Sequence, residues 1–520
     1  MSAPILRFCR NFEARRDNYF TSSCAVADSL NSEFVADQGP DRRRTAATAI
    51  GTKSARKRDD AIDRVLFWTF VAGLAWVPYW YGSNELVAWG INACVFPGLA
   101  AIFEISILAR GASHPVGIRE IAAPAALFAA VVVWIVIQNA TWTPASWHHP
   151  IWQMAAGVIE RPVDGSISVN RDLTTLALLR LLTAASVFWI ALQLCRKAAR
   201  ANSLIRAIAA ISCAYAGYGV ASLAFKGGPI VWVGSTASRG FLTSTFIDHN
   251  HFATYAGIGL IAVCGLILRL YRREVVISGG SLAFRIASII EATGQQGAAL
   301  LGGAFLLLVA LLLTGSRGGI IATGLGVVVL GTLTLRWGKK SSSRFRWTIV
   351  IGAVLVAATF VAFGDAFMGR IAEVGVNDDT RMSIYTITLR SIVDSPLLGY
   401  GYGTFMDVFP MFRDRSIAIE DYFEEAHNTY LEVFQGLGLL FGTMLVASIA
   451  LLVLKCLKWT AISRHQAVTV PGVAASIAFL VAVHSLADFS LQMQAVALTF
   501  TALLGAGVAQ SGSTRAVSND

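Results

Sequence analysis

Apolar stretches long enough to cross a lipid bilayer recur along this chain from Val65 almost to its last residues. A bilayer core of roughly 30 Å is crossed by a helix of about 20 such residues. Lipid offers the backbone no hydrogen-bond partners, so each apolar stretch must satisfy its own N–H and C=O groups as a helix. Only 14% of the residues are charged, against roughly 25% in an ordinary soluble domain. We therefore predict an all-α, polytopic membrane protein.

The apolar pattern predicts about twelve transmembrane helices, with boundaries that are soft by several residues. They begin approximately at Val65, Leu86, Ile121, Leu173, Leu204, His251, Ala299, Ile320, Trp347, Leu431, Val470 and Ala495. If the N-terminus is cytoplasmic, every predicted loop on the cytoplasmic side is rich in arginine and lysine, as is typical of membrane proteins. The even number of spans and the two cytoplasmic termini therefore support each other.

The spans divide the chain into three predicted parts. Residues 1–64 form a basic tail that lacks the apolar core of a secretory signal. We expect this tail to be cytoplasmic, disordered and attracted to anionic lipid, or else to be a tail without a role or a start-codon artefact. Residues 65–510 form the transmembrane domain, and residues 511–520 form a cytoplasmic C-terminal tail. The net charge of +10 does not indicate a nucleic-acid partner, because no soluble domain with a basic face is visible.

Residues 365–430 form the largest predicted outer loop, with eleven acidic residues against five arginines. Its segment TRMSIYTITLRSIVDSP predicts a short amphipathic helix, with Asp378 or Asp379 as the N-cap and Pro396 beyond the end. The segment GYGYGTF follows and predicts a glycine-rich turn.

Polar residues gather at the mouth of the sixth predicted span, in ASRGFLTSTFIDHNHFATY. Asp248, His249 and His251 could bind a metal, but no further ligand is evident nearby, so we predict none. Asp248 or Asn250 could instead cap the helix. Arg239 lies in the same segment.

Arg317, in LTGSRGGIIA, interrupts more than thirty otherwise apolar residues. Gly315, Gly318 and Gly319 would allow a tight reversal between the seventh and eighth spans. The arginine then either extends to water at the membrane boundary or faces inward and holds an anion.

Two further clusters lie in the large loop, around Arg381 and around His427 in EEAHNTYLEVFQGLGLL. A surface ion pair with Asp378 or Asp379 is the structural alternative for Arg381, and an interfacial polar cap is the alternative for His427. Inside the membrane, Arg180 is a candidate because ionisable groups there are costly. His484 and Asp488, four residues apart on one predicted helix face, are more simply an interhelical contact.

The segments TGSRGG, SPLLGYGYGTF and HNTYLEVFQGLGLL, in this order, resemble the O-antigen ligase and O-antigen polymerase superfamily over residues 246–442. Members are bacterial inner-membrane glycosyltransferases of helical architecture, similar to the C-type glycosyltransferases. The resemblance implies a substrate glycan linked to undecaprenyl diphosphate, an active site that faces the periplasm, and no metal or cofactor. It also implies that the acceptor is a glycan or lipid A core and that membrane lipids are further partners.

The resemblance assigns roles to individual residues. Arg317 and Arg381 match the family's diphosphate-binding arginines by motif, whereas Arg239 matches only by location. His427 matches the loop histidine that serves the acceptor hydroxyl, and Asn428 or Glu425 could orient its imidazole. Asn250 and Arg180 are expected to support the site.

The acceptor decides between the functions that the sequence leaves open. Our first expectation is a transferase that moves the carrier-linked glycan onto a hydroxyl acceptor at the periplasmic face. Transfer to lipid A core would make it a ligase. Transfer to another carrier-linked repeat would make it a polymerase, and transfer to a protein is a third alternative. A transporter or flippase is the rival from another class, but it would place polar sites near the bilayer midplane on repeated, broken helices.

Overall fold

The computed structural model describes residues 60–225, 240–277, 282–335, 378–417, 423–462 and 469–512. All regular secondary structure within these ranges is helical. The prediction of an all-α protein is therefore confirmed for the part of the chain that the structure describes. The tail up to residue 59, the predicted ninth span near Trp347 and the end of the chain lie outside it.

The helices follow the chain with short connections. Their bounds are α1 60–76, α2 Leu86–Ala109, α3 Ala122–Asn139, α4 Ile151–Ile159, α5 Arg171–Leu194, α6 Ala198–Ala224, α7 His249–Ile277, α8 Leu282–Leu313, α9 Arg317–Leu335, α10 Asp378–Asp394, α11 Phe405–Phe412, α12 Thr429–Ile462, α13 Thr469–His484 and α14 Gln494–Gln510.

Eight helical segments among the described residues are long and apolar enough to cross a membrane. Helices α13 and α14 are apolar but shorter. The chain is thus a multi-pass membrane protein. A helix stands at every predicted span except the ninth, which lies outside the described residues, so the total of about twelve stays a prediction.

Helix α7 is the central helix of the bundle and packs against α6, α8, α9 and α13. Small residues allow this close approach. A Cβ atom added to Gly265 would lie 2.3 Å from Cγ2 of Val473, and one added to Gly259 would lie 2.4 Å from Cβ of Ser212. Helices that approach so closely gain van der Waals contact, which is a main source of helix association in lipid.

Helix α12 is broken at Gly438, where φ is +75°. The break frees backbone carbonyl groups that lipid cannot satisfy. Side chains of α3 supply the missing donors: Trp134 Nε1 donates to the Leu437 carbonyl at 3.1 Å, and Gln138 Nε2 donates to the Gly436 carbonyl at 2.7 Å. The fold therefore stabilises the break with specific hydrogen bonds.

The glycine-rich segment 396–404, here called the docked turn, binds directly to this break. Tyr400 N donates to the Gln435 carbonyl and Gly401 N to the Gly436 carbonyl, both at 3.1 Å. In the other direction, Leu439 N donates to the Pro396 carbonyl at 2.8 Å. The predicted turn is confirmed, and its backbone hydrogen bonds fix the loop to the membrane helix.

Gly399→Ala should destabilise the protein by about 2–5 kcal/mol, combining left-handed strain and overpacking. Gly399 has φ +68°, and a Cβ atom there would lie 2.4 Å from the Gly436 carbonyl oxygen. The measurement is the thermal unfolding midpoint of purified protein in detergent. Gly324→Ala is the matched control, because a Cβ atom at Gly324 meets nothing within 4 Å. Equal midpoints for the two variants would show that the docked turn is not tightly packed.

Candidate functional site

Polar side chains converge where α7 and α12 begin and α13 ends. We call His251, His427, His484 and Asp488 the histidine cluster. The rings of His251 and His427 both meet Phe489 edge to face, at centroid distances of 4.5 and 4.9 Å. The structure thus joins the polar mouth of the sixth predicted span to the loop histidine, as the order of the helices predicts.

Asp488 is the buried acidic residue of the histidine cluster. Its Oδ2 atom lies 4.0 Å from His251 Nε2 and 3.9 Å from His484 Nδ1, and it accepts a hydrogen bond from the Ser490 hydroxyl. The carboxylate side chain is only 3% exposed. A buried carboxylate needs such partners, because an isolated charge in a low-dielectric interior is costly.

His484 connects two helices, as the sequence indicates: its Nδ1 lies 2.6 Å from Thr254 Oγ1 on α7. The expectation that His484 and Asp488 share one helix face is wrong. Helix α13 ends at His484, and Ala487 N donates to the His484 carbonyl in a tighter turn. The pair meets because this turn folds back toward α7.

Arg317 is the first residue of α9 and is exposed. The next residue, Gly318, lies against the histidine cluster, because a Cβ atom there would be 3.0 Å from His484 Nε2. Arg317 therefore borders the cluster, at a helix N-terminus whose dipole also favours anions.

The expected reversal uses Gly315, which has φ +66°. Gly318 and Gly319 were assigned to the same reversal, and this assignment is wrong, since both lie within α9. Their role is close packing: a Cβ atom at Gly319 would lie 2.6 Å from Cβ of Ala253 on α7.

Arg381 lies in the first turn of α10, and its Nε atom is buried without a hydrogen-bond partner in the described structure. One turn further, the Tyr385 hydroxyl donates to the His427 carbonyl at 3.0 Å, which ties α10 to the histidine cluster. The predicted helix is confirmed, with Pro396 beyond its end, but its amphipathic character is not, because Met382, Leu389 and Val393 are exposed. The prediction that Asp378 or Asp379 is the N-cap is wrong, however, because both residues already lie within the helix.

His427 has an unusual backbone and an available ring nitrogen. Its φ is +53°, and its Nδ1 atom is buried with no partner among the residues described. Burial and the nearby Arg381 guanidinium lower the pKa of His427 below its ordinary value, against the opposing effect of Asp488. The imidazole is therefore neutral at neutral pH and can accept a proton.

Neither Asn428 nor Glu425 hydrogen-bonds to His427 Nδ1, which has no partner among the described residues. The Asn428 side chain accepts from the N–H groups of Tyr430 and Leu431, which makes it the N-cap of α12, and donates to the Leu486 carbonyl at 2.9 Å. Burial raises the pKa of Glu425, which lies beside Glu432. Sequence reasoning missed Glu432, although a carboxylate at the start of an apolar helix was a signal for it.

The remaining predicted residues lie in different places. Arg180 donates to the Gln492 carbonyl and covers the ring of Trp89 at 4.3 Å, so it belongs to the network around Glu432. Asn250 lies in the first turn of α7, and its N–H donates to Oδ1 of Asp248 at 2.6 Å, which makes Asp248 the cap. Arg239 lies outside the described residues.

No group of three His, Cys, Asp or Glu side chains within the described ranges is placed to hold a metal ion. His249 instead stacks on Phe241, with ring centroids 4.8 Å apart. His484 Nδ1 is engaged with Thr254.

The sequence model of the O-antigen ligase family matches residues 302–447 of the chain. The match includes Arg317, Arg381 and His427, which the fold brings to one end of the bundle. No curated protein matches the chain significantly. Over this segment, which is less than a third of the chain, the protein is similar to the O-antigen ligase family.

Proposed function

We propose that the protein transfers a glycan from undecaprenyl diphosphate to a hydroxyl acceptor, as an O-antigen ligase. The observation that carries this proposal is the placement of a neutral imidazole, His427, beside the Arg381 guanidinium, with a buried nitrogen of each left without a partner in the described structure. A base and an anion-binding group are the two functions that such a transfer requires.

In the proposed step, the acceptor oxygen attacks the anomeric carbon as its proton passes to His427. The bond between that carbon and the diphosphate oxygen breaks, and its electron pair leaves with the diphosphate. Arg381 and Arg317 would bind the phosphate oxygens and stabilise the growing negative charge, each by roughly 3 kcal/mol when preorganised. The nearby Asp488 would stabilise His427 once it is protonated.

The acceptor defines the alternatives. With lipid A core the enzyme is a ligase of lipopolysaccharide, and with a second carrier-linked repeat it is a polymerase of O-antigen or exopolysaccharide. The clustering of ionisable groups at one end of the bundle favours a transferase over a transporter, which would place them at the bilayer midplane.

Deletion of the gene, followed by gel analysis of surface and carrier-linked glycans, tests this proposal. Loss of a ligase leaves long chains on the carrier lipid and none on lipid A core. Loss of a polymerase leaves single repeats. Unchanged glycans in the deletion strain would contradict both activities, and purified protein in liposomes that only relocates the lipid-linked glycan would establish a transporter.

The proposal places the protein in the bacterial inner membrane with both termini in the cytoplasm and the loop 365–430 in the periplasm. Support comes from the basic residues in alternate loops. An alkaline phosphatase reporter inserted after Asp414, in the described part of the loop, should therefore be active, and one fused to the C-terminus inactive. The reverse pattern would move the histidine cluster to the cytoplasmic side and end this mechanism.

Transfer should continue in the presence of a chelator, because arginines can supply the positive charge that a metal provides in other transferases. The assay is the transfer rate of purified protein before and after EDTA treatment. The control is readdition of Mg²⁺, Mn²⁺ or Zn²⁺. Loss of activity that one of these ions restores would revive a metal site at Asp248, His249 and His251.

A further inference from the structure

We propose that Glu432 is a positioning residue for His427: it holds the backbone next to the histidine and is itself fixed by Gln492 and Arg180. This inference rests on the proposed function, since it assigns Glu432 to the same reaction. Glu432 would not touch the substrate but act through the loop.

The first step of the argument is the set of contacts around His427. Glu432 Oε1 accepts the Ala426 N–H at 2.6 Å, just before the histidine. Tyr385 donates to the carbonyl of His427 itself, and Asn428, just after it, donates to the Leu486 carbonyl. Consecutive residues are thus held by α12, by α10 and by the segment that follows α13.

The second step is that His427 needs such anchors. Its φ of +53° is unfavourable for a residue other than glycine, and such a conformation persists only where the surrounding structure imposes it. A loop released from its anchors would relax and move the imidazole. A displacement of about 1 Å at a reacting group can slow a reaction by roughly 10²-fold.

The third step is that Glu432 is held more firmly than a surface carboxylate. The Gln492 amide donates to its Oε2 atom, and Arg180 donates to the backbone carbonyl of Gln492. Arg180 in turn covers Trp89. Gln492 also follows closely after Phe489, the ring against which His427 packs. The same segment therefore fixes both the loop backbone and the imidazole.

Glu425 completes the network. It lies beside Glu432, and its raised pKa is caused mainly by burial. A proton shared between the two carboxyl groups allows them to lie together next to a single arginine without an excess negative charge. The carboxyl groups face Arg180, Gln492, Tyr402 and the exposed Glu424, whereas His427 faces Asp488, Arg381, Asp248 and His251.

Three variants of the full-length protein in nanodiscs test the proposal. Glu432→Ala removes the acceptor for Ala426. Glu432→Gln keeps an acceptor oxygen, and the Gln492 amide can flip to receive its new NH₂ group. Glu424→Ala is the matched control, since Glu424 is an exposed acid of the same loop. The assays are kcat and KM with lipid-linked glycan from the deletion strain, binding of undecaprenyl diphosphate, and the pH dependence of kcat.

Glu432→Ala should lower kcat by about 10²-fold and change KM and the affinity for undecaprenyl diphosphate by less than about threefold. Glu432→Gln should recover most of kcat, and Glu424→Ala should match the wild type. Release of the loop also hydrates the imidazole of His427 and raises its pKa toward the ordinary value. The acidic limb of the Glu432→Ala profile should therefore move to higher pH, whereas that of Glu432→Gln should not.

Several results would overturn the proposal. Full activity of Glu432→Ala would show that Glu432 is not needed to hold the loop at His427. A loss that is the same for Glu432→Gln and Glu432→Ala would assign the carboxylate a chemical role. In a third case, kcat and undecaprenyl diphosphate binding would both fall in proportion to the amount of folded protein, and the acidic limb of the pH profile would stay at the wild-type pH. Glu432 would then only stabilise the fold. No transfer by the wild type would instead contradict the proposed function itself.

Discussion

His427→Ala should slow glycan transfer by roughly 10²- to 10⁴-fold, the usual contribution of a general base. Binding of undecaprenyl diphosphate should be nearly unchanged, because the arginines that would hold the phosphates remain. The measurements are the transfer rate of purified protein in nanodiscs and its affinity for undecaprenyl diphosphate.

The pH dependence gives a second readout for the same residue. The pKa of His427 is lowered from its ordinary value of 6.5. The unprotonated base is present above the lowered pKa, so activity should be flat at neutral pH and fall only as the pH drops below 6.5. In His427→Ala this acidic limb should disappear from the residual activity.

His114→Ala is the matched control, because His114 lies in the loop after α2 and pairs with Glu104 at the surface. The amount of folded protein in the membrane must be equal among the variants. An abundant, folded His427→Ala protein with the wild-type rate would leave His427 with only a structural role.

Arg381→Ala should weaken both transfer and carrier binding, with a loss in kcat/KM of about 10²- to 10³-fold, as for removal of one preorganised donor to a developing anion. Arg317→Lys should act in the same direction but less strongly. Lysine keeps the charge and loses the planar fork that binds two phosphate oxygens together. The measurements are steady-state kinetics and undecaprenyl diphosphate affinity.

Arg390→Ala is the control for this pair of variants. Arg390 lies on the same helix as Arg381, but it pairs with Asp414 at 2.5 Å on the exposed face. Exposed ion pairs contribute little, so this variant should keep wild-type activity. If Arg381→Ala behaved like Arg390→Ala, the anion-binding role of Arg381 would be wrong.

The helical fold could be predicted from the sequence because lipid leaves a long apolar segment only one way to satisfy its backbone. The break at Gly438 could not be predicted in the same way. Its carbonyl groups are satisfied by Trp134 and Gln138, about three hundred residues earlier in the chain. Such a contact leaves no periodic pattern in the sequence around Gly438.

Arg317 stood out in the sequence because it interrupts an apolar segment, whereas Arg381 and His427 were named from the motifs that resemble the family, and the roles of all three stay predictions. The supporting contacts were less accessible. Tyr385 binds a backbone carbonyl, and Glu432 binds a backbone N–H, so neither forms a pattern of charges. The sequence did indicate His484 and Asp488 as a pair. Their approach to His251 depends on the turn after His484, which the prediction of one continuous helix did not include.

The docked turn limits which segments of this protein can be exchanged for those of a similar protein. Its N–H groups bind the carbonyls of Gln435 and Gly436, and its Pro396 carbonyl receives the N–H of Leu439. The outer loop and the broken helix thus share one set of backbone hydrogen bonds. A chimaera that imports a foreign outer loop must import the matching segment 435–439 with it, so the loop and this part of the membrane helix are exchanged as one block.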